Sequence, residues 1–197
     1  MFLEFTMRCL KKDFVKGAVF HFYNRAVDGG LLFREKSDYN TFLIKLNLFI
    51  VKYPADIFAY CLMPNHFHFL LKQVDDDPVY RLFNYFLSSY VQTMNRKYCR
   101  KGRFFESPLQ HIEVFDPDYL IYLCQYIHYN PVKAGLVKNA ESWEYSNYPE
   151  WINKRSGTLF TPALRDAYFG NADKYARSLE DHEMYLEEMK ELKLIWD

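Results

Sequence analysis

The sequence predicts an α+β fold: a split βαβ antiparallel sheet with helices on one face, followed by a C-terminal helical extension. Two observations predict it. Segments of period-two hydrophobicity and segments of helical periodicity alternate in the order strand, helix, strand, strand, helix, strand, and the two middle strands are separated only by Pro64-Asn65, a turn signal. The first strand is "GAVFHFYNRAV", residues 17 to 27, and the first helix is "SDYNTFLIKLNLFIVKY", residues 37 to 53, with Ser37 or Asp38 as its cap. The hairpin spans residues 57 to 72. The second helix begins at Asp77 as N-cap with Pro78 in first position, and Leu82, Phe83, Phe86, Tyr90 and Met94 keep helical spacing along it. A fourth strand falls within "RFFESPLQHIEVF", residues 103 to 115.

A third helix opens at Asp116-Pro117 and is expected to end at Pro131. At about 100° per residue, Leu120, Leu123, Cys124 and Ile127 form one apolar stripe. Tyr119, Tyr122, Tyr126 and Asn130 form a neighbouring one. The four-residue spacing of Tyr126 and Asn130 makes their side chains adjacent.

At 197 residues, with half of them hydrophobic and 19% aromatic, the chain can bury a proper core and is not a disordered sequence. No apolar run reaches the length of a membrane span. The opening "MFLEFTMRCL" is broken by Glu4 and Arg8, so neither a span nor a secretory signal is expected, and a cytoplasmic protein is. Cys9, Cys61, Cys99 and Cys124 show no Cys-x-x-Cys spacing and read as buried reduced thiols.

The zero net charge hides an asymmetry. Residues 171 to 197 carry eight acidic and four basic side chains, a net of −4, so residues 1 to 170 carry +4. In that body, "MNRKYCRKGRFF" concentrates Arg96, Lys97, Arg100, Lys101 and Arg103 among Tyr98, Phe104 and Phe105. Cations interleaved with aromatic rings suit phosphates and unstacked bases, and the same pattern also suits a solvated loop.

Within "CLMPNHFHFLLK", His66 and His68 share one strand face and Phe67 and Phe69 the other. Neutral imidazoles side by side can converge on one divalent ion. Alone, a His-x-His pair is equally consistent with hydrogen-bonded core histidines.

Together "MPNHFHFLL", "RFFES" and "YIHYNPVKAGLV", with "FYNRAV", "LFREKSDY" and "SWEYSNY", resemble the single-tyrosine transposases of the HUH nuclease superfamily, and among them the REP-associated tyrosine transposases. The resemblance runs from about Gly17 to Tyr148. It implies a ferredoxin-like core and cleavage of single-stranded or hairpin DNA by a tyrosine nucleophile, helped by a divalent metal, Mg or Mn. On that resemblance His66 and His68 are metal ligands, Tyr126 is the nucleophile, and Asn130 is a further ligand or orienter. Residues 1–150 would form the catalytic domain and 151–197 an acidic, partly helical extension. Arg96, Lys97, Arg100, Lys101 and Arg103 would hold the DNA backbone.

A phenol ionises near pH 10, so a tyrosine nucleophile needs help to attack a phosphodiester, and a metal acting as Lewis acid and template supplies it. In-line attack expels a 3′-hydroxyl and leaves a 5′-phosphotyrosine, which conserves the bond energy for rejoining. Ala26 stands where the family's first-strand motif has glycine, and the acidic tail is foreign to the common core. Three alternatives stand beside this reading: a phosphoesterase that activates water, a non-cleaving nucleic-acid-binding regulator, and a structural interaction module. His21, His111 and His128 have no motif support and read as structural or peripheral. The oligomeric state, monomer or homodimer, is open.

Overall fold

The computed structural model describes residues 14–191. The opening segment with Cys9, and residues 192–197 of the acidic tail, lie outside the described residues. The elements are β1 (Val19–Arg25), α1 (Lys36–Ile50), β2 (Ala55–Met63), β3 (His66–Gln73), α2 (Tyr80–Lys97), β4 (Gln110–Val114), α3 (Pro117–Lys133), α4 (Tyr148–Trp151), α5 (Pro162–Phe169) and α6 (Ala172–Glu191).

The sheet order is β2-β3-β1-β4 and every neighbour pair is antiparallel, which is the split βαβ, ferredoxin-like arrangement. Alternation along β3 sets what each face buries. Phe67, Phe69 and Leu71 face α1 and α2, where they pack with Phe42, Leu46, Phe83 and Phe86. Burial of each such ring removes apolar surface worth roughly 1.5–3 kcal/mol. The opposite face is also covered. Cys61, Met63 and Leu70 pack with Leu120, Leu123, Cys124 and Ile127 of α3, so the helices on one face are those of the βαβ units while α3 closes the other. Trp151, Tyr175 and Leu179 of the C-terminal extension join that second core.

Two helix starts differ from expectation. Helix α1 is capped at Glu35, because Asp38 lies inside the first turn and reaches back to accept from the backbone N–H groups of Arg34 and Glu35. Helix α2 starts at Tyr80, not beside Asp77. The buried Gln73 amide holds the preceding turn, with its Oε1 accepting from Val79 N–H, while Asp77 pairs with Arg81 on the surface. Helix α3 is capped as expected by Asp116, which accepts from Asp118 N–H at 2.8 Å, but it runs past Pro131 to Lys133. A proline in the last turn does not break it, since the lost donor leaves a single carbonyl to be served elsewhere. Cys61 and Cys124 are buried thiols. Cys99 is exposed instead, because it sits at φ 50° in the turn that ends α2. Among the described residues, no helix is long and apolar enough to cross a membrane.

Candidate active site

The hairpin turn fixes the first histidine. Pro64 O accepts from Leu32 and Phe33, and Asn65 O accepts from Ala26 N–H, so the two turn residues are bound to the loop after β1. His66 follows at once, in register with Arg25 of β1 and Met63 of β2. Two residues on, His68 points to the same face, and the two ring centres are 5.1 Å apart.

Helix α3 crosses that face. Because Leu123, Cys124 and Ile127 are driven into the core, the adjoining stripe of Tyr126 and Asn130 is turned to the histidines. The Tyr126 ring lies edge-on to His68 at 5.7 Å, and Asn130 Oδ1 is 3.3 Å from His66 Nε2. The four residues, drawn from β3 and α3, thus meet in one place.

Both imidazoles are held neutral. Burial lowers the pKa of His66, opposed by the Asn130 hydrogen bond and assisted by the Arg25 charge. Burial lowers His68 further, with His21, His66 and Arg25 adding repulsion to its cation. His66 Nδ1 lies 2.7 Å from Asn65 Oδ1 and Nε2 3.3 Å from Asn130 Oδ1, so with the ring proton on Nδ1 the Nε2 lone pair faces the Asn130 oxygen. Two acceptors aimed at each other suit a cation between them.

Three neighbours were not assigned to the site from the sequence. His21 Nε2 is 3.0 Å from His68 Nδ1, and burial lowers the His21 pKa to about 4. Tyr23 lies beside His21, the ring centres 5.1 Å apart and the planes tilted by 32°. Arg25 is exposed next to His66. The available signal was the period-two face of β1, on which His21, Tyr23 and Arg25 alternate with Phe20 and Phe22. Among the described residues, no group of three or more His, Cys, Asp or Glu side chains could hold a metal ion. The side chains that could meet an ion here are those of His66, His68 and Asn130, two imidazoles and an amide oxygen.

The basic segment is not uniform. Lys97 is bound at 2.6 Å to both the buried Asp38 and Glu35, and so is part of the fold. Arg100 lies over the Phe104 ring at 5.0 Å, and Arg103 bonds Glu106 O. Arg96 and Lys101 are exposed. The segment reaches the histidines through its backbone, as Glu106 N–H bonds Arg25 O and Phe105 bridges Ala26. His128 is buried and structural, bonded to Tyr175 and Asn147.

No family model matches the chain. A curated Haemophilus influenzae protein assigned as a REP-associated tyrosine transposase is 29% identical over 153 residues, a match spanning 70% of this chain and 84% of the relative. The chain is similar in sequence to a REP-associated tyrosine transposase over most of its length. The solved structure of such a transposase bound to a REP hairpin superposes with a TM-score of 0.60 over 79% of this chain and 94% of that one, at 17% identity, and so shares its fold.

Proposed function

We propose that the protein is a metal-dependent strand transferase acting on single-stranded or hairpin DNA, with Tyr126 as nucleophile and with His66, His68 and Asn130 holding the ion. The observation that carries this reading is the meeting of Tyr126 and Asn130 from α3 with His66 and His68 from β3. The relative's assignment as a tyrosine transposase, and the hairpin bound by the structural neighbour, support the substrate class. The donor set fits a divalent ion, since neutral imidazole nitrogen and amide oxygen are both ligands for Mn²⁺ and its neighbours, while Mg²⁺ prefers oxygen.

A bound divalent ion supplies Lewis-acid polarisation of a nonbridging phosphate oxygen. The chain does the rest. Tyr126 Oη forms the bond to phosphorus, the P–O3′ bond breaks, and the phenolic proton is passed on as the 3′ oxygen leaves as a hydroxyl. The product is a 5′-phosphotyrosine, whose ester can be returned to a 3′-hydroxyl for rejoining. Arg25, beside His66, offers an exposed cation for the DNA backbone at this point, and Arg96 and Lys101 offer further exposed cations.

The test is incubation of the full chain with hairpin DNA carrying single-stranded flanks and Mn²⁺ or Mg²⁺, read on a denaturing gel. Wild type should form a protein-linked DNA band. Tyr126→Phe, which removes only the hydroxyl, should lose that band while still binding the DNA. Cleavage by Tyr126→Phe at the wild-type rate with no linked product would establish the water-activating phosphoesterase instead; binding without any cleavage by wild type would establish the regulator.

A further inference from the structure

Beside Tyr126, on the side away from Asn130, the surface opens into a cleft of about 290 Å³ between α3 and the β1–β4 edge of the sheet. Its walls are Tyr23, Ile112, Tyr119, Tyr122 and Tyr126, with His68 at the inner end. Among the described residues, none of the side chains that line it is acidic. The tyrosines of α3 recur at spacings of three and four, so their rings line up along the helix. Tyr119 and Tyr122 stack at 6.3 Å with 14° between planes, and Tyr122 and Tyr126 at 6.3 Å with 17°. Ile112, Tyr119 and Tyr122 remain 39%, 41% and 43% exposed, an unusual cluster of large apolar surface left in water. On β1, Tyr23 faces the row from across the cleft, 6.1 Å from His68.

From this arrangement we infer that the cleft takes the unstacked base of the nucleotide adjoining the phosphate attacked by Tyr126. The inference rests on the reading of Tyr126 as a nucleophile on single-stranded DNA and adds to it the residues that seat the neighbouring base. Three features select this occupant. The cleft shares Tyr126 and His68 with the reacting site, so a strand whose phosphate lies there has its next base within reach. Its size is at the small end of ligand sites, which begin at roughly 300 Å³, and suits one flat ring system. Its walls are aromatic faces and an aliphatic edge without charge, which stack on a base of any identity, whereas the phosphates keep to the exposed cations outside. Seating the base would also fix the strand along α3 and so hold the phosphate in line with Tyr126. Tyr23, Ile112 and Tyr119 are therefore positioning residues for the scissile phosphate.

The experiment places 2-aminopurine at successive positions through the single-stranded flank of a DNA hairpin and follows its fluorescence on addition of the full chain, alongside covalent-adduct formation on matched strands carrying an abasic site at the same positions. One position adjoining the cleaved phosphate should be quenched, and an abasic site there should lower adduct formation at limiting DNA by roughly tenfold, as loss of one stacked base does. Tyr119→Ala and Ile112→Ala, both at exposed positions, should abolish that quenching and the abasic sensitivity together, while Tyr119→Phe, which keeps the ring, retains the quenching. An adduct that forms with no position quenched, or with abasic sensitivity unchanged in Tyr119→Ala and Ile112→Ala, leaves the strand-transfer reading standing and overturns the base cleft. Quenching that depends on Tyr119 without any adduct upholds the cleft and overturns strand transfer. Neither quenching nor adduct overturns both.

Discussion

His66 Nε2 faces Asn130 Oδ1 across 3.3 Å, while the other imidazole nitrogen of His66 is held by Asn65. A neutral imidazole lone pair and an amide oxygen repel one another unless a cation lies between them or the amide turns over. Divalent ions should therefore stabilise the fold. At one hundred times its dissociation constant, Mn²⁺ should add about 2.7 kcal/mol, a rise of roughly 5–10 °C in midpoint for a chain of this size. Asn130→Asp should bind Mn²⁺ more tightly by adding a charge, and His66→Ala should bind it more weakly. Calorimetric titration measures both, and equal affinities across the three proteins would remove these residues from the metal site.

His21 acts on that site through His68. Its Nε2 lies 3.0 Å from His68 Nδ1 and burial keeps it neutral; in the tautomer in which His68 donates its Nδ1–H to this bond, the other ring nitrogen of His68 is left for an ion. Outer partners of this kind typically contribute roughly 10–100-fold to metal affinity. His21→Phe should weaken Mn²⁺ binding by that order, with the fold intact by circular dichroism. An unchanged affinity would show that the His68 ring is set by its packing alone.

The basic segment should divide into two kinds of residue. Lys97 closes a network in which Asp38 also accepts from Tyr98 and from two backbone N–H groups, so Lys97→Ala should lower the thermal midpoint and leave the salt dependence of DNA binding nearly unchanged. Arg96→Ala and Lys101→Ala should do the reverse, each flattening the salt slope by about one unit because one phosphate fewer is neutralised. A slope change in the Lys97 variant equal to that in the other two would place Lys97 on the DNA as well.

What could be read in the sequence followed from periodicity. The stripe of Leu120, Leu123, Cys124 and Ile127 determines which way Tyr126 and Asn130 turn, and the alternation of His66 with Phe67 determines which face of β3 they meet. Hidden were interactions whose partners only the fold brings together. Gln73 replaces Asp77 at the start of α2 because the strand end and the turn come together only in the fold. His21 looked structural because its partner is 47 residues away. The tie between Lys97 and Asp38, 59 residues earlier, could not be read because Asp38 shows itself in sequence only as a possible helix cap.

The most distant of these interactions secures helix α3 itself. Asn147 Oδ1 accepts from Tyr60 N–H at 2.7 Å and from His128 at 2.9 Å, and its Nδ2 donates to Phe58 O, so one buried side chain ties strand β2 to the helix that carries Tyr126 and Asn130. On its other ring nitrogen, His128 accepts from the Tyr175 hydroxyl of α6. Burial lowers the pKa of His128 to about 4, so the ring is neutral and this donor order is satisfied throughout. Asn147→Leu keeps much of the volume but strands the Tyr60 N–H and a His128 nitrogen, while Phe58 O retains its bond from Trp151. Two buried polar groups left without partners should cost about 2–6 kcal/mol, lowering the midpoint by at least about 5 °C. Because α3 then loses its hydrogen-bonded tie to β2, adduct formation should fall further than DNA binding does at temperatures where the variant is still folded. Parallel losses in the two would mean that the network supports the fold without aligning the tyrosine.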